Sequence, residues 1–234
     1  MPLTFPLFFS LVNVVYHRLM PNTLAETLAL TDAFEQDMQD VLADNWSDGT
    51  PRSKVTGLFM SLSLDHWQAV RTLFSHGQPI SAFVLMRCQF EATVRAFWFH
   101  FAASDEKVER FGTVQAEDGV LKEPSSKTIA EMIKAMAEKA PAQVCRQLQE
   151  FNDSSLKPLN SYVHGGHYAA VTTALGELAV PESHRVMVLR LSNGLAGMMA
   201  MLSGVGSGDV ALAHRVVQVQ LAHLACLPEM VKSS

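Results

Sequence analysis

Three charged side chains, Arg87, Glu91 and Arg95, recur at every fourth position of an otherwise apolar stretch running from Pro79 to Ala103. On a helix, residues four apart advance by only about 40° around the axis, so the three share one stripe. The remaining residues of the stretch are apolar nearly all round, which predicts a helix in the middle of a bundle. An ionised group on a buried face is costly unless it is paired. Arg87 and Glu91 can pair along the helix. Two roles follow from this spacing: an ion pair that fixes helix register, or the charged wall of an interior cleft.

A second group of chemically able residues lies far down the chain, in Lys157-Pro-Leu-Asn-Ser-Tyr-Val-His-Gly-Gly-His-Tyr168. If the segment is helical, Asn160, His164, His167 and Tyr168 share a face. Gly165 and Gly166 would weaken that helix by roughly 1 kcal/mol each relative to alanine, and paired glycines also permit a bend or a close backbone approach. A polar, aromatic, glycine-rich patch within an apolar domain points to a site. The structural alternative is a helix start or an inter-helix contact with satisfied histidines. His164 and His167 are close enough in sequence to reach one ion, but a hydrolytic metal site needs a third histidine or a carboxylate. No HExxH pattern supplies one, so neither a metal nor a cofactor is expected. There is also no phosphate-binding glycine loop after a strand and no nucleophile elbow. Gly204-Val-Gly-Ser-Gly208 reads as a linker between helices.

These residues must be positioned by helices. Asn22 or Thr23 can cap a helix through Leu42, with Glu26, Glu35, Asp37 and Asp40 on its polar face. Asn45–Thr50 is a loop by composition. Pro51 opens a helix to about His76, with Gly77 as its stop, and Pro79 opens the next. Ser104 caps a short acidic helix. Residues 112–126 form an exposed connection. Thr128 or Ser126 leads into Ile129–Lys139, and Pro141 opens a helix through Phe151. Asn152–Ser155 breaks the periodicity, and Lys157-Pro158 starts a new segment. Two long apolar helices, Pro181–Leu202 and Val210–Val231, close the chain. No recurring period-two pattern marks strands. The expected fold is all-α: one antiparallel helical bundle of about seven to nine helices over residues 21–234, preceded by an apolar extension, residues 1–20. The run Leu7–Tyr16 is too short to span a bilayer and lacks the flanks of a secretory signal, so no transmembrane segment is expected.

The six-residue stretch Asn160-Ser-Tyr-Val-His164-Gly resembles the signature of the higher eukaryotes and prokaryotes nucleotide-binding (HEPN) superfamily. Those proteins are helical bundles, and many are metal-independent RNases of toxin–antitoxin or phage-defence systems. Their motif is an arginine, four to six residues, then a histidine, commonly with asparagine after the arginine. The two side chains act together on an RNA phosphate, often across a dimer. In this chain Leu159 stands before Asn160. Lys157 supplies charge without the guanidinium fork, and Arg87 would have to replace the arginine from a neighbouring helix. The layout of Arg87-x-x-x-Glu91 followed by Ser-Tyr-Val-His-Gly is also similar to that of helical families of uncharacterised bacterial proteins. The resemblance implies His164 as general base or acid, Arg87 as the stabiliser of phosphorane charge, Glu91 as its orienter, and Asn160, Tyr162 and His167 as substrate contacts. Two literal Arg-x4-His pairs, Arg71/His76 and Arg95/His100, read as chance matches, because residues five apart on a straight helix point about 140° away from each other.

Composition bounds the partners. Of the 234 residues, 48% are hydrophobic and 18% charged, with a formal net charge of -5. That supports a substantial core. Without a Lys/Arg-rich block it argues against binding extended duplex nucleic acid, while a small RNA cleft stays compatible. Cys88, Cys145 and Cys226 form no CxxC pair and read as reduced core cysteines of a cytoplasmic protein. A catalytically silent interaction module, antitoxin-like or a complex subunit, is the alternative to an RNase. It would form a homodimer or bind a protein partner through Met187, Met198, Met199 and Met201. A pocket for a small apolar ligand lined by Phe97, Trp98, Phe99 and Phe101 is a third reading, although such aromatic runs are more often core.

Overall fold

Thr23 starts the first helix by a reciprocal cap: its hydroxyl accepts from the Glu26 N–H at 3.2 Å, and the Glu26 carboxylate accepts from the Thr23 N–H at 3.3 Å. The computed structural model describes residues 23–42, 48–112, 116–117, 120–121, 127–176 and 180–228. The apolar extension expected over residues 1–20 lies outside the described residues. Among the described residues are nine α-helices: α1 (Leu24–Leu42), α2 (Pro51–Ser75), α3 (Pro79–Phe101), α4 (Asp105–Gly112), α5 (Ile129–Met136), α6 (Ala142–Val163), α7 (His167–Leu175), α8 (Glu182–Ser207) and α9 (Val210–Ala222). A single 3-10 turn, Leu224–Cys226, follows. The fold is all-α, as the periodicity implies. The sheet-like feature among the described residues is an antiparallel ladder of Ala116–Glu117 against Val120–Leu121.

Local chemistry sets most boundaries. Thr50 caps α2 by accepting from the Ser53 N–H, and Pro51 occupies its first turn. Thr128 and Glu131 form a capping box at the start of α5. Asp209 caps α9 through the Leu212 N–H. Gly77, in the left-handed region at φ 67°, ends the turn after α2.

Three expected boundaries differ. Asn152–Ser155 and Lys157-Pro158 interrupt nothing, because α6 runs through Pro158. Proline removes one backbone donor, but Leu148, Phe151 and Leu159 hold that helix to the core from both sides of it. The glycines at 204–208 are not a linker. α8 continues to Ser207, and only Gly208, at φ 70°, turns the chain. Gly204 is instead a point of helix contact, since a Cβ there would lie 2.7 Å from the Ala213 nitrogen on α9. The last helix ends at Ala222. Glu35, expected on a polar face, is buried. Arg71 on α2 pairs with it at 2.7 Å, and Gln39 and Gln68 each donate to it at 3.0 Å.

The main core surrounds α3, with Met86, Phe90 and Phe97 against Met132 and Met136 of α5, Leu148 and Phe151 of α6, and Leu189 and Met199 of α8. A smaller cluster joins Phe34, Met38, Trp67, Ala200, Val216 and Cys226 across α1, α2, α8, α9 and the final turn. α8 is long and apolar enough to cross a membrane, but 67% of its apolar window is buried inside the bundle, as suits a core helix. Met199 is buried and Met198 and Met201 are partly covered, so of the methionines proposed for an interface only Met187 is exposed. Phe97, Trp98 and Phe99 are likewise core residues.

Polar residues inside the bundle are joined across helices. The Ser192 hydroxyl donates to Gln89 Oε1 at 2.5 Å, and Gln89 Nε2 donates to the Ser192 backbone carbonyl at 2.9 Å. Asn193 accepts from the Trp67 indole N–H at 2.8 Å and donates to Thr31 and to the Cys226 carbonyl, each at 2.8 Å. One amide thus ties α1, α2, α8 and the last turn together.

Two predictions follow from this arrangement. Asn193→Ala leaves a buried indole N–H, hydroxyl and carbonyl without their partner and should destabilise the fold by about 2–4 kcal/mol in urea unfolding; a loss under about 0.5 kcal/mol would show that the network contributes nothing. The Asp48 carboxyl is brought down to about 2 by hydrogen bonds from the Ser53 hydroxyl and then from the Thr50 N–H and hydroxyl. Its folded value lies below the unfolded one, so its contribution is present above about pH 4 and is lost as the pH falls toward 2. The stability gap between wild type and Asp48→Asn should therefore close between about pH 5 and pH 2, and a constant gap refutes this.

Candidate functional site

The charged stripe of α3 lies on the edge of that helix facing α6. Arg87 forms an ion pair with Glu91 through Nη1, and Arg95 donates to the other Glu91 oxygen at 3.0 Å. Arg87 Nε donates to Asn160 Oδ1 on α6 at 2.9 Å. The side chains are 14%, 30% and 24% exposed for Arg87, Glu91 and Arg95, so the stripe is a half-buried seam rather than the wall of a closed interior cleft. One carboxylate shared by two guanidiniums leaves the seam with one net positive charge. Cys88 shares this edge, and burial first, then Glu91, pushes its thiol up, which keeps it neutral.

Aromatic contacts fix α6 against α3. Phe83 meets Tyr162 with ring centres 4.8 Å apart, and Phe90 stacks on Phe151 at 4.2 Å. Tyr162 is therefore half-inserted between helices and acts as an anchor. Its hydroxyl lies 3.4 Å from that of Thr172, the buried residue of α7.

The segment after Asn160 does not stay one helix. α6 ends at Val163, with the His164 N–H donating to the Asn160 carbonyl at 3.0 Å. Gly165 sits at φ 62°, a conformation that glycine adopts at little cost. Gly166 approaches so closely that a Cβ would lie 2.7 Å from Ser161 Oγ. The Gly166 N–H donates to the Ser161 carbonyl at 2.7 Å, and the Ser161 hydroxyl accepts from the Tyr168 N–H at 3.0 Å. Ser161 is the residue that sequence reasoning missed. Its only signal was its place ahead of the glycine pair. The common face expected for Asn160, His164, His167 and Tyr168 is consequently split. Asn160 and His164 remain one turn apart on the same edge of α6, while His167 opens α7. Both imidazoles are exposed, and among the described residues neither forms an ion pair.

The structure thus joins Arg87, Glu91, Arg95 and Asn160 directly. It sets His164 one helical turn from Asn160, places Tyr162 underneath, and leaves His167 on the adjoining helix. Among the described residues no three His, Cys, Asp or Glu side chains converge to hold a metal ion. Of the chance Arg-x4-His pairs, Arg71/His76 lies away from the seam, with Arg71 committed to Asp32 and Glu35, while Arg95 belongs to the seam without its histidine. His100 is half-buried beside Gly206, where burial and then Arg52 lower its basicity.

The sequence profile of a family of unknown function, DUF6988, matches residues 60–229. The chain belongs to that family. The region shared with DUF6988 begins within α2 and takes in α3 through α9, and with them the whole seam and the α6–α7 turn. No curated protein and no solved structure matches the chain.

Because Glu91 neutralises two half-buried guanidiniums, Glu91→Ala should cost more stability than Arg95→Ala. About 1–3 kcal/mol is expected in urea unfolding, against under about 1 kcal/mol for the arginine. The reverse order would show that Glu91 is not the shared acceptor.

Proposed function

We propose that this DUF6988 chain is a HEPN-like, metal-independent RNase of a toxin–antitoxin or defence system, acting in the cytoplasm. The hydrogen bond from Arg87 Nε to Asn160 carries the reading, because it brings a guanidinium from α3 to the α6 edge that bears His164. Arginine was absent from the motif position before Asn160, and Arg87 takes its place from another helix. A guanidinium has five N–H donors. Asn160 and Glu91 engage Nε and Nη1, which leaves donors for a phosphate oxygen. His164 accepts the proton of the 2′-hydroxyl as its oxygen bonds to phosphorus. The P–O5′ bond breaks, and the departing oxygen takes a proton from water. Arg87 and Arg95 offset the charge that accumulates on the phosphorane, Glu91 holds Arg87 in place, and His167 contacts the substrate strand.

A second reading, a catalytically silent antitoxin-like subunit that forms a homodimer or binds a protein partner, draws on a different observation. Exposed apolar residues gather at Val163, Val171 and Leu175, on and beside α7, rather than along the methionines of α8.

Incubation of single-stranded RNA with the full chain in EDTA separates the two. The wild type should cleave, and His164→Ala should lose at least about a hundredfold in rate. His164 is exposed at a helix end, so this variant keeps the fold. Absence of cleavage by the wild type, or equal cleavage by both, rejects the RNase and leaves the silent module.

A further inference from the structure

Tyr168 stands apart from the other aromatic residues. Its ring lies 6.3 Å from that of Tyr162, nearly parallel at 23°, and Tyr162 in turn lies 4.8 Å from Phe83 in the core. A ladder of three rings therefore rises from the bundle interior to the surface and ends on an open face, since Tyr168 is 53% exposed. The last ring is also held from its backbone, through the 3.0 Å bond from its N–H to Ser161 Oγ, beside the turn that Gly165 and Gly166 allow. Holding the backbone and backing the ring with Tyr162 lowers the cost of ordering it, which is what a stacking surface needs.

Its surroundings select the occupant. From Pro158 to Gly176 the sequence contains no Asp, Glu, Lys or Arg, in a chain whose net charge is -5. A phosphodiester strand approaching this face meets no carboxylate from this stretch. The inner ring of the ladder, Phe83, stands one turn along α3 from Arg87. Apolar stacking and a single cationic anchor together suit an unpaired nucleobase with its own phosphate, whereas a base inside a duplex hides both of its faces.

We infer that Tyr168 is a stacking platform for an unpaired nucleobase next to the phosphate held at Arg87, so that the site takes single-stranded and not duplex RNA. This rests on the RNase reading above and names its substrate class. Tyr168 positions substrate and takes no part in proton transfer.

The test measures binding of a short, fluorescently labelled 2′-O-methyl oligoribonucleotide, which lacks the hydroxyl that cleavage requires, to the full chain by anisotropy. Tyr168→Ala should weaken binding roughly tenfold, and Tyr168→Trp should restore or tighten it. In cleavage of unmodified RNA, Tyr168→Ala should raise KM and leave kcat within about threefold. Affinity unchanged in Tyr168→Ala, or weakened equally in the Ala and Trp variants, overturns the platform. If the same variant leaves binding unchanged while His164→Ala still abolishes cleavage, the platform falls and the RNase stands. A wild type that neither binds nor cleaves RNA removes both.

Discussion

A helix in contact with four others has almost nowhere to put a charge. α3 touches α2, α5, α6 and α8, and most of its side chains are buried. Burying three ions singly would cost several kcal/mol each. The chain avoids this by placing them four residues apart on the one edge that is only half covered, so that a single carboxylate serves two guanidiniums and the first guanidinium reaches across to Asn160. That bond ties the position of α6 along α3 to Arg87, because sliding either helix would break the Nε to Asn160 contact. Everything C-terminal on α6, including the His164 turn and the start of α7, takes its position from this seam and from the two aromatic contacts on either side of it.

The uncharged interior follows the same logic with neutral groups. Gln89 and Ser192 exchange two hydrogen bonds, Ser63 meets Thr93 at 2.9 Å, and Asn193 satisfies groups from three other segments. Each contributes little net stability, but each leaves a buried group unpaired if the helices shift by a turn. A core of Phe, Leu and Met alone would tolerate such shifts. The polar pairs do not, so the bundle has one register, and the half-buried seam inherits it.

How much of this could be read in the sequence depended on the range of the interaction. Caps and stops were legible where the signal is local: Thr23, Pro51, Thr128 and Gly77 each act within a few positions, although the reciprocal partners Glu26 and Glu131 were not read. The i, i+4 pairing of Arg87 with Glu91 was legible for the same reason. Pro158 and the glycines at 204–208 misled, because their usual local effect was overridden by partners far away: the core contacts of Leu148 and Leu159 in one case, Ala213 in the other. Glu35 looked solvated on its own helix and is buried by Arg71 from the next. The Arg87–Asn160 bond spans 73 positions and has no periodic signature. Two polar groups in apolar surroundings, and the missing arginine before Asn160, were the hints that they meet.

The charge of the seam limits what it can hold. Two arginines and one glutamate leave a single positive charge, within a chain of net charge -5. Affinity for a polyanion grows with the number of phosphates neutralised, so one cation holds one phosphate and cannot track a backbone. Any further affinity must come from contacts that need no charge. On the proposed reading, the uncharged stretch from Pro158 to Gly176 would supply them, through exposed imidazoles and a tyrosine ring. Under the proposed RNase reading, a site so composed would discriminate by the shape of a short unpaired segment rather than by field strength. A bundle that had instead surrounded Arg87 with further lysines would have had to bury more unpaired charge along α3, which the packing of that helix forbids.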